Sequence, residues 1–93
     1  MPWIIGKVAL PETTGTHTVQ VPQEAMIMVA RGTTSIDVVY TVPEGTDPQD
    51  MRFDVLKEGE TLPDYDKAKQ RYIGTVDLND VLYMVFERID EPA

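Results

Sequence analysis

Apolar residues recur along this chain with a period of two far better than with a period of 3.6, which predicts strands rather than helices. Trp3 to Leu10 reads as a first strand, ended by the turn Pro11-Glu12-Thr13-Thr14-Gly15. Thr16 to Val21 alternates cleanly, with Thr16, Thr18 and Gln20 toward water and His17, Val19 and Val21 on the other side. Pro22 closes that strand because it has no N–H to give a ladder. Ala25 to Ala30 is apolar on both faces, the pattern of a central strand. Arg31-Gly32-Thr33-Thr34 turns the chain into Ser35 to Val42, rich in β-branched residues. Pro43 to Asp50, with its prolines, glycine and acids, reads as a loop before a strand over Met51 to Leu56.

Lys57 to Arg71 is the longest polar segment. Within it Asp64 can cap one or two helical turns running to Gln70. Tyr72 to Leu78 and Val81 to Ile89 are two strands joined at Asn79-Asp80, a residue pair that tolerates positive φ and suits a two-residue hairpin. In the second of them Val81, Tyr83, Val85, Glu87 and Ile89 share one face, and Leu82, Met84 and Phe86 the other. Apolar residues on both faces predict burial on both sides over most of its length, with Val76, Val85 and Phe86 in the core. The expected fold is a single all-β domain over residues 1–93. It has about seven mainly antiparallel strands in a sandwich or partly closed barrel, with one short helix near 64–70.

Three stretches carry a family resemblance. They are "VPQEAMIM" (Val21 to Met28), the Gly-x-x-x-Pro of Gly59 to Pro63, and "YIGTV" (Tyr72 to Val76) followed by a closing Val85-Phe86-Glu87. In their order and spacing the chain resembles a family of small uncharacterised proteins of bacteriophages and bacteria, a domain of unknown function. The family tends to carry Gly-Thr-Gly where this chain has Glu58-Gly59-Glu60, and Trp or His where Tyr83 and Met84 stand. The resemblance implies a compact, mainly β fold and a phage setting. It implies no activity.

Composition narrows the function classes. An apolar content of 42% over 93 residues is enough for one folded core. Without cysteine there is no disulfide, thiolate metal site or cysteine nucleophile. No run approaches the roughly 20 apolar residues of a membrane span, and "MPWIIGKVAL" lacks the basic region of a signal peptide. The expected setting is the cytoplasm, that of the host if the protein is phage-encoded, with no membrane partner. Sixteen acids against eight bases give a net charge of −8, which disfavours a nucleic-acid polymer as partner.

Catalytic chemistry finds little support. His17 is the only histidine and Ser35 the only serine, and no Gly-x-Ser-x-Gly elbow surrounds the latter. Glu44, Asp47 and Asp50 are spaced by three but lack the pattern of a calcium loop. Glu58, Glu60, Asp64 and Asp66, with Asp54 nearby, are carboxylates numerous enough to pair by chance in so acidic a chain. The sequence therefore predicts no enzyme, no metal and no cofactor.

Two binding features remain. Lys67, Lys69 and Arg71 alternate in "DYDKAKQRY" between Tyr65 and Tyr72. Tyr65, Lys67, Lys69 and Arg71 could hold a phosphate and stack a base, as a sponge for a small nucleotide-type signal would. Trp3, Ile4 and Ile5 form the candidate oligomer contact. The leading expectation is a noncatalytic phage accessory protein, a protein-interaction module that meets a host or phage protein through its acidic surface and can self-associate. The nucleotide sponge acting through residues 65–72 is the alternative.

Overall fold

The computed structural model describes residues 2–62 and 69–89. Seven strands pack as two antiparallel sheets: β1 (Trp3–Leu10), β2 (Gly15–Pro22), β3 (Met26–Arg31), β4 (Ile36–Pro43), β5 (Pro48–Lys57), β6 (Gln70–Leu78) and β7 (Val81–Arg88). A three-stranded sheet has the order β1-β4-β3, and a four-stranded sheet the order β2-β5-β7-β6. The sandwich is the expected all-β fold, and its sheets do not close into a barrel. Among the described residues no helix is long and apolar enough to cross a membrane.

Alternation fills the space between the sheets. Leu10, Ile27, Ala30, Ile36 and Val38 of the three-stranded sheet meet Phe53, Val55, Val76, Tyr83 and Val85 of the four-stranded sheet. Burying side chains of this kind stabilises by about 1.5–3 kcal/mol each. Val76, Val85 and Phe86 are buried as expected. The hairpin at Asn79-Asp80 has φ of 52° and 65°, the two successive positive values of a type I′ turn.

The sheets approach most closely where β3 meets β6. Each of these strands carries a bulge there, between Ile27 and Val29 and between Tyr72 and Gly74. A bulge bends a strand and re-aims a side chain. The one in β6 sends Ile73 into the core. Gly74 is required at this seam, since a Cβ would collide with the backbone carbonyl of Ala30. Arg71 Nη2 donates across the seam to the Ile27 carbonyl at 3.1 Å.

The structure corrects three expectations. Ala25 to Ala30 does not form a central strand: β3 is an edge strand, and Met26, Met28 and Val29 are exposed. Its two apolar faces reflect one face in the core and one that nothing in the described chain covers. The strand expected to begin at Met51 begins at Pro48, because β2 continues its ladder to the pair Pro22–Pro48. The outer face of β7 is buried at Phe86 but exposed at Leu82 and Met84. The helix expected near 64–70 falls mostly outside the described residues, and Gln70 opens β6.

Candidate interaction surfaces

The outer face of the three-stranded sheet follows from the register. Trp3 pairs with Pro43, Ile5 with Thr41, Lys7 with Val39 and Ala9 with Asp37. On the other side of β4, Met26 pairs with Thr41, Val29 with Val39 and Arg31 with Asp37. One end of the face is therefore apolar, with Trp3, Ile5 and Met26, and the other carries Lys7, Asp37 and Arg31. Ile5 is 77% exposed, Trp3 58% and Met26 58%. Ile4 pairs with Val42 on the opposite, inner face, so strand alternation separates it from Trp3 and Ile5.

Toward the charged end lies an open groove of about 960 Å³ between β1 and the Gly32–Ser35 turn. Lys7 and Arg31 reach into it from the two edge strands. Asp37 sits between them, accepting a hydrogen bond from Ser35 Oγ at 2.9 Å and facing Lys7 Nζ at 3.9 Å. These three are the only charged residues in the strands of this sheet, a net charge of +1 in a chain of −8, so the rest of the protein carries −9.

The outer face of the four-stranded sheet is built differently. Asp54 is fully buried there and accepts hydrogen bonds from Thr16 Oγ1 and Gln70 Nε2. Arg88 Nη1 is a salt-bridge partner at 3.4 Å from Asp54 Oδ2, the oxygen that also accepts from Gln70. A buried carboxylate is tolerated only with partners of this kind. Phe86 pairs with Asp54 across the strands and meets Tyr72 edge-to-face at 6.0 Å.

Beyond this polar core the same sheet carries a cleft of about 330 Å³. Leu56, Leu82 and Met84 form its apolar floor, and Lys57, Glu58, Glu60 and Thr75 are its polar lining. The rim is a tight turn. Glu60 N–H donates to the Lys57 carbonyl at 3.0 Å, and Gly59 supplies a φ of 85° where a type II turn needs it. Two hydrogen bonds pin the turn to β7: Glu58 N–H to the Leu82 carbonyl at 2.8 Å, and Leu82 N–H to Glu58 Oε1 at 3.2 Å. In the sequence Glu58 and Glu60 stand among carboxylates numerous enough to pair by chance, and at a departure from the family's Gly-Thr-Gly. Their pairing with an apolar floor depends on a strand register that spacing did not reveal.

Tyr65 and Lys67 lie outside the described residues. Lys69 is exposed, and its carbonyl accepts the Ile89 N–H at 2.8 Å. Arg71 is held by Glu87 Oε1 at 2.5 Å and by the Ile27 carbonyl, so it serves the seam between the sheets. His17 Nε2 lies 2.7 Å from the Thr13 carbonyl, a contact local to its own turn. Ser35 is bonded to Asp37, so the histidine and the serine each have a separate local partner. Among the described residues no group of three or more His, Cys, Asp or Glu is placed to hold a metal ion.

A family model described as Domain of unknown function (DUF7352) matches residues 1–93. The chain belongs to this family. No curated protein and no solved structure matches it.

Proposed function

We propose that this protein is a noncatalytic protein-interaction module whose acidic side meets a basic surface on a partner protein. The observation that carries this reading is the cleft on the four-stranded sheet, with an apolar floor of Leu56, Leu82 and Met84 beside Glu58 and Glu60. Such a cleft suits an apolar side chain flanked by lysine or arginine. The floor supplies burial and the rim supplies orientation and long-range attraction. The charge of −9 outside the three-stranded sheet extends that attraction over the surface. The phage setting, a host or virion partner and a place in the host cytoplasm rest on the resemblance carried by Val21 to Met28, Gly59 to Pro63, Tyr72 to Val76 and Val85 to Glu87.

The test is affinity capture of the tagged protein from infected host, wild type beside a Glu58→Lys/Glu60→Lys variant of similar melting temperature. The expected result is a co-purifying protein with a basic surface, released by salt near about 0.5 M, where the Debye length falls to a few ångströms, and missing from the variant. A partner retained equally by both proteins refutes the acidic cleft as the contact.

A further inference from the structure

The outer face of the three-stranded sheet is a separate problem. Its apolar end leaves three large side chains in water, and a contiguous apolar patch on a globular protein marks an interface. Charge selects the occupant. Two copies of a chain of −8 repel each other over most of their surface. The three-stranded sheet, at +1, is where they can meet without bringing acids together. An acidic partner gains little here, because Asp37 already lies between Lys7 and Arg31.

We propose that this face is covered by a second copy of the chain, three-stranded sheet against three-stranded sheet, about a two-fold axis perpendicular to the strands. That symmetry lays the charged end of each copy over the apolar end of the other. Like charges stay apart, and the Trp3 ring of one copy comes over the region of Lys7 in the other, where a cation can rest on an aromatic face. Lys7 and Arg31 stand on the two edge strands, so their stems can cover apolar surface while their heads stay at the rim. Asp37, on the central strand, brings its own partners in Ser35 and Lys7.

Geometry sets the strength. Three strands about 4.8 Å apart, rising about 3.3 Å per residue, give a footprint of roughly 350 Å² per copy. That is below the size of a standard stable interface, so the dimer is weak and transient and forms only at high protein concentration. The dimer would leave both acidic clefts facing outward, so a partner with repeated basic sites would meet two of them at once.

The experiment is sedimentation equilibrium from about 10 μM to about 1 mM, a range in which weak self-association shows as a rising mass. The samples are wild type, Ile5→Glu on the proposed face and Leu82→Glu in the cleft of the other sheet. Both residues are exposed, so both variants should fold, and a far-UV spectrum with a melting curve checks it. Met26→Glu replaces Ile5→Glu should the latter unfold. The expected result is a wild-type mass rising toward twice the monomer, the same rise in Leu82→Glu, and a constant monomer mass in Ile5→Glu. A wild-type protein that stays monomeric throughout overturns the inference and leaves the face to a partner of another sequence. Dimerisation that survives Ile5→Glu, or is lost equally in Leu82→Glu, overturns it by placing the contact elsewhere.

Discussion

The two sheets share one core but differ in what they show to water. The four-stranded sheet has a second buried layer on its outer side, where Asp54 and Phe86 are almost fully enclosed. The three-stranded sheet has none, and its outer rows run from Trp3, Ile5 and Met26 at one end to Lys7, Asp37 and Arg31 at the other. A carboxylate is thus buried in one sheet while an isoleucine is exposed in the other. Hydropathy by itself would have reversed the two. Partners explain the difference. Asp54 has Thr16, Gln70 and Arg88, while Ile5 has nothing above it within the described chain. The first arrangement serves folding, and the second leaves apolar surface in water.

Breaking the buried outer layer should have the largest effect. Phe86→Ala removes an enclosed aromatic ring and its contact with Tyr72, at a cost of roughly 3–5 kcal/mol. Asp54→Ala leaves Arg88 and Gln70 without their common acceptor, also at roughly 3–5 kcal/mol. Either loss can unfold a domain of this size. Urea denaturation of each variant measures the effect, and a midpoint within error of wild type would show that this layer contributes nothing to folding.

The seam between the sheets should respond less strongly. Gly74→Ala drives a methyl group into the Ala30 carbonyl and forces β3 and β6 apart. Overpacking of this kind costs about 1–3 kcal/mol. Gly6→Ala makes a comparison on the other edge, where the new methyl would lie 2.6 Å from the Tyr40 ring. A side chain can yield where backbone cannot, so Gly6→Ala should be the milder of the two. Equal midpoints in denaturant for both variants would mean that the seam is as pliable as a tyrosine ring.

Period-two alternation carried much of the fold in advance. Seven strands, the Asn79-Asp80 turn and the burial of Val76, Val85 and Phe86 all follow from residue type and spacing. What alternation cannot convey is which sheet a strand joins. The segment "AMIMVA" is apolar on both faces, whether it sits in mid-sheet or at an edge with one face exposed. Pairing is non-local, and β3 finds its place only through β4 on one side and the approach of β6 on the other. The same limit hid the acidic cleft, since Glu58 and Leu82 are 24 positions apart and meet through hydrogen bonds between a turn and a strand. Of the bases in the basic segment, only Lys69 and Arg71 lie among the described residues. Arg71 alternates with Lys69 as an anion site would require, yet its guanidinium is committed to Glu87 and the Ile27 carbonyl. Spacing identifies which side chains could converge, and the ladder decides what each one meets.

The smallest expected effect gives the sharpest contrast between the faces. Ile5 is 77% exposed, so Ile5→Ser removes little buried area from the monomer and should change its stability by no more than about 0.5 kcal/mol. The measurement is a thermal melt at low micromolar concentration, where a weak dimer is dissociated. A loss of several kcal/mol there would mean that Ile5 is covered by its own chain, and the face would no longer be available for association. The same melt repeated near about 1 mM adds a second criterion, because self-association makes Tm depend on protein concentration. Wild type should melt higher at the higher concentration, and Ile5→Ser should melt at the same temperature at both. Phe86 provides the internal control: its replacement should lower Tm equally at every concentration, since its contacts lie within one copy. A side chain that matters only when the protein is concentrated is one whose partner is another molecule.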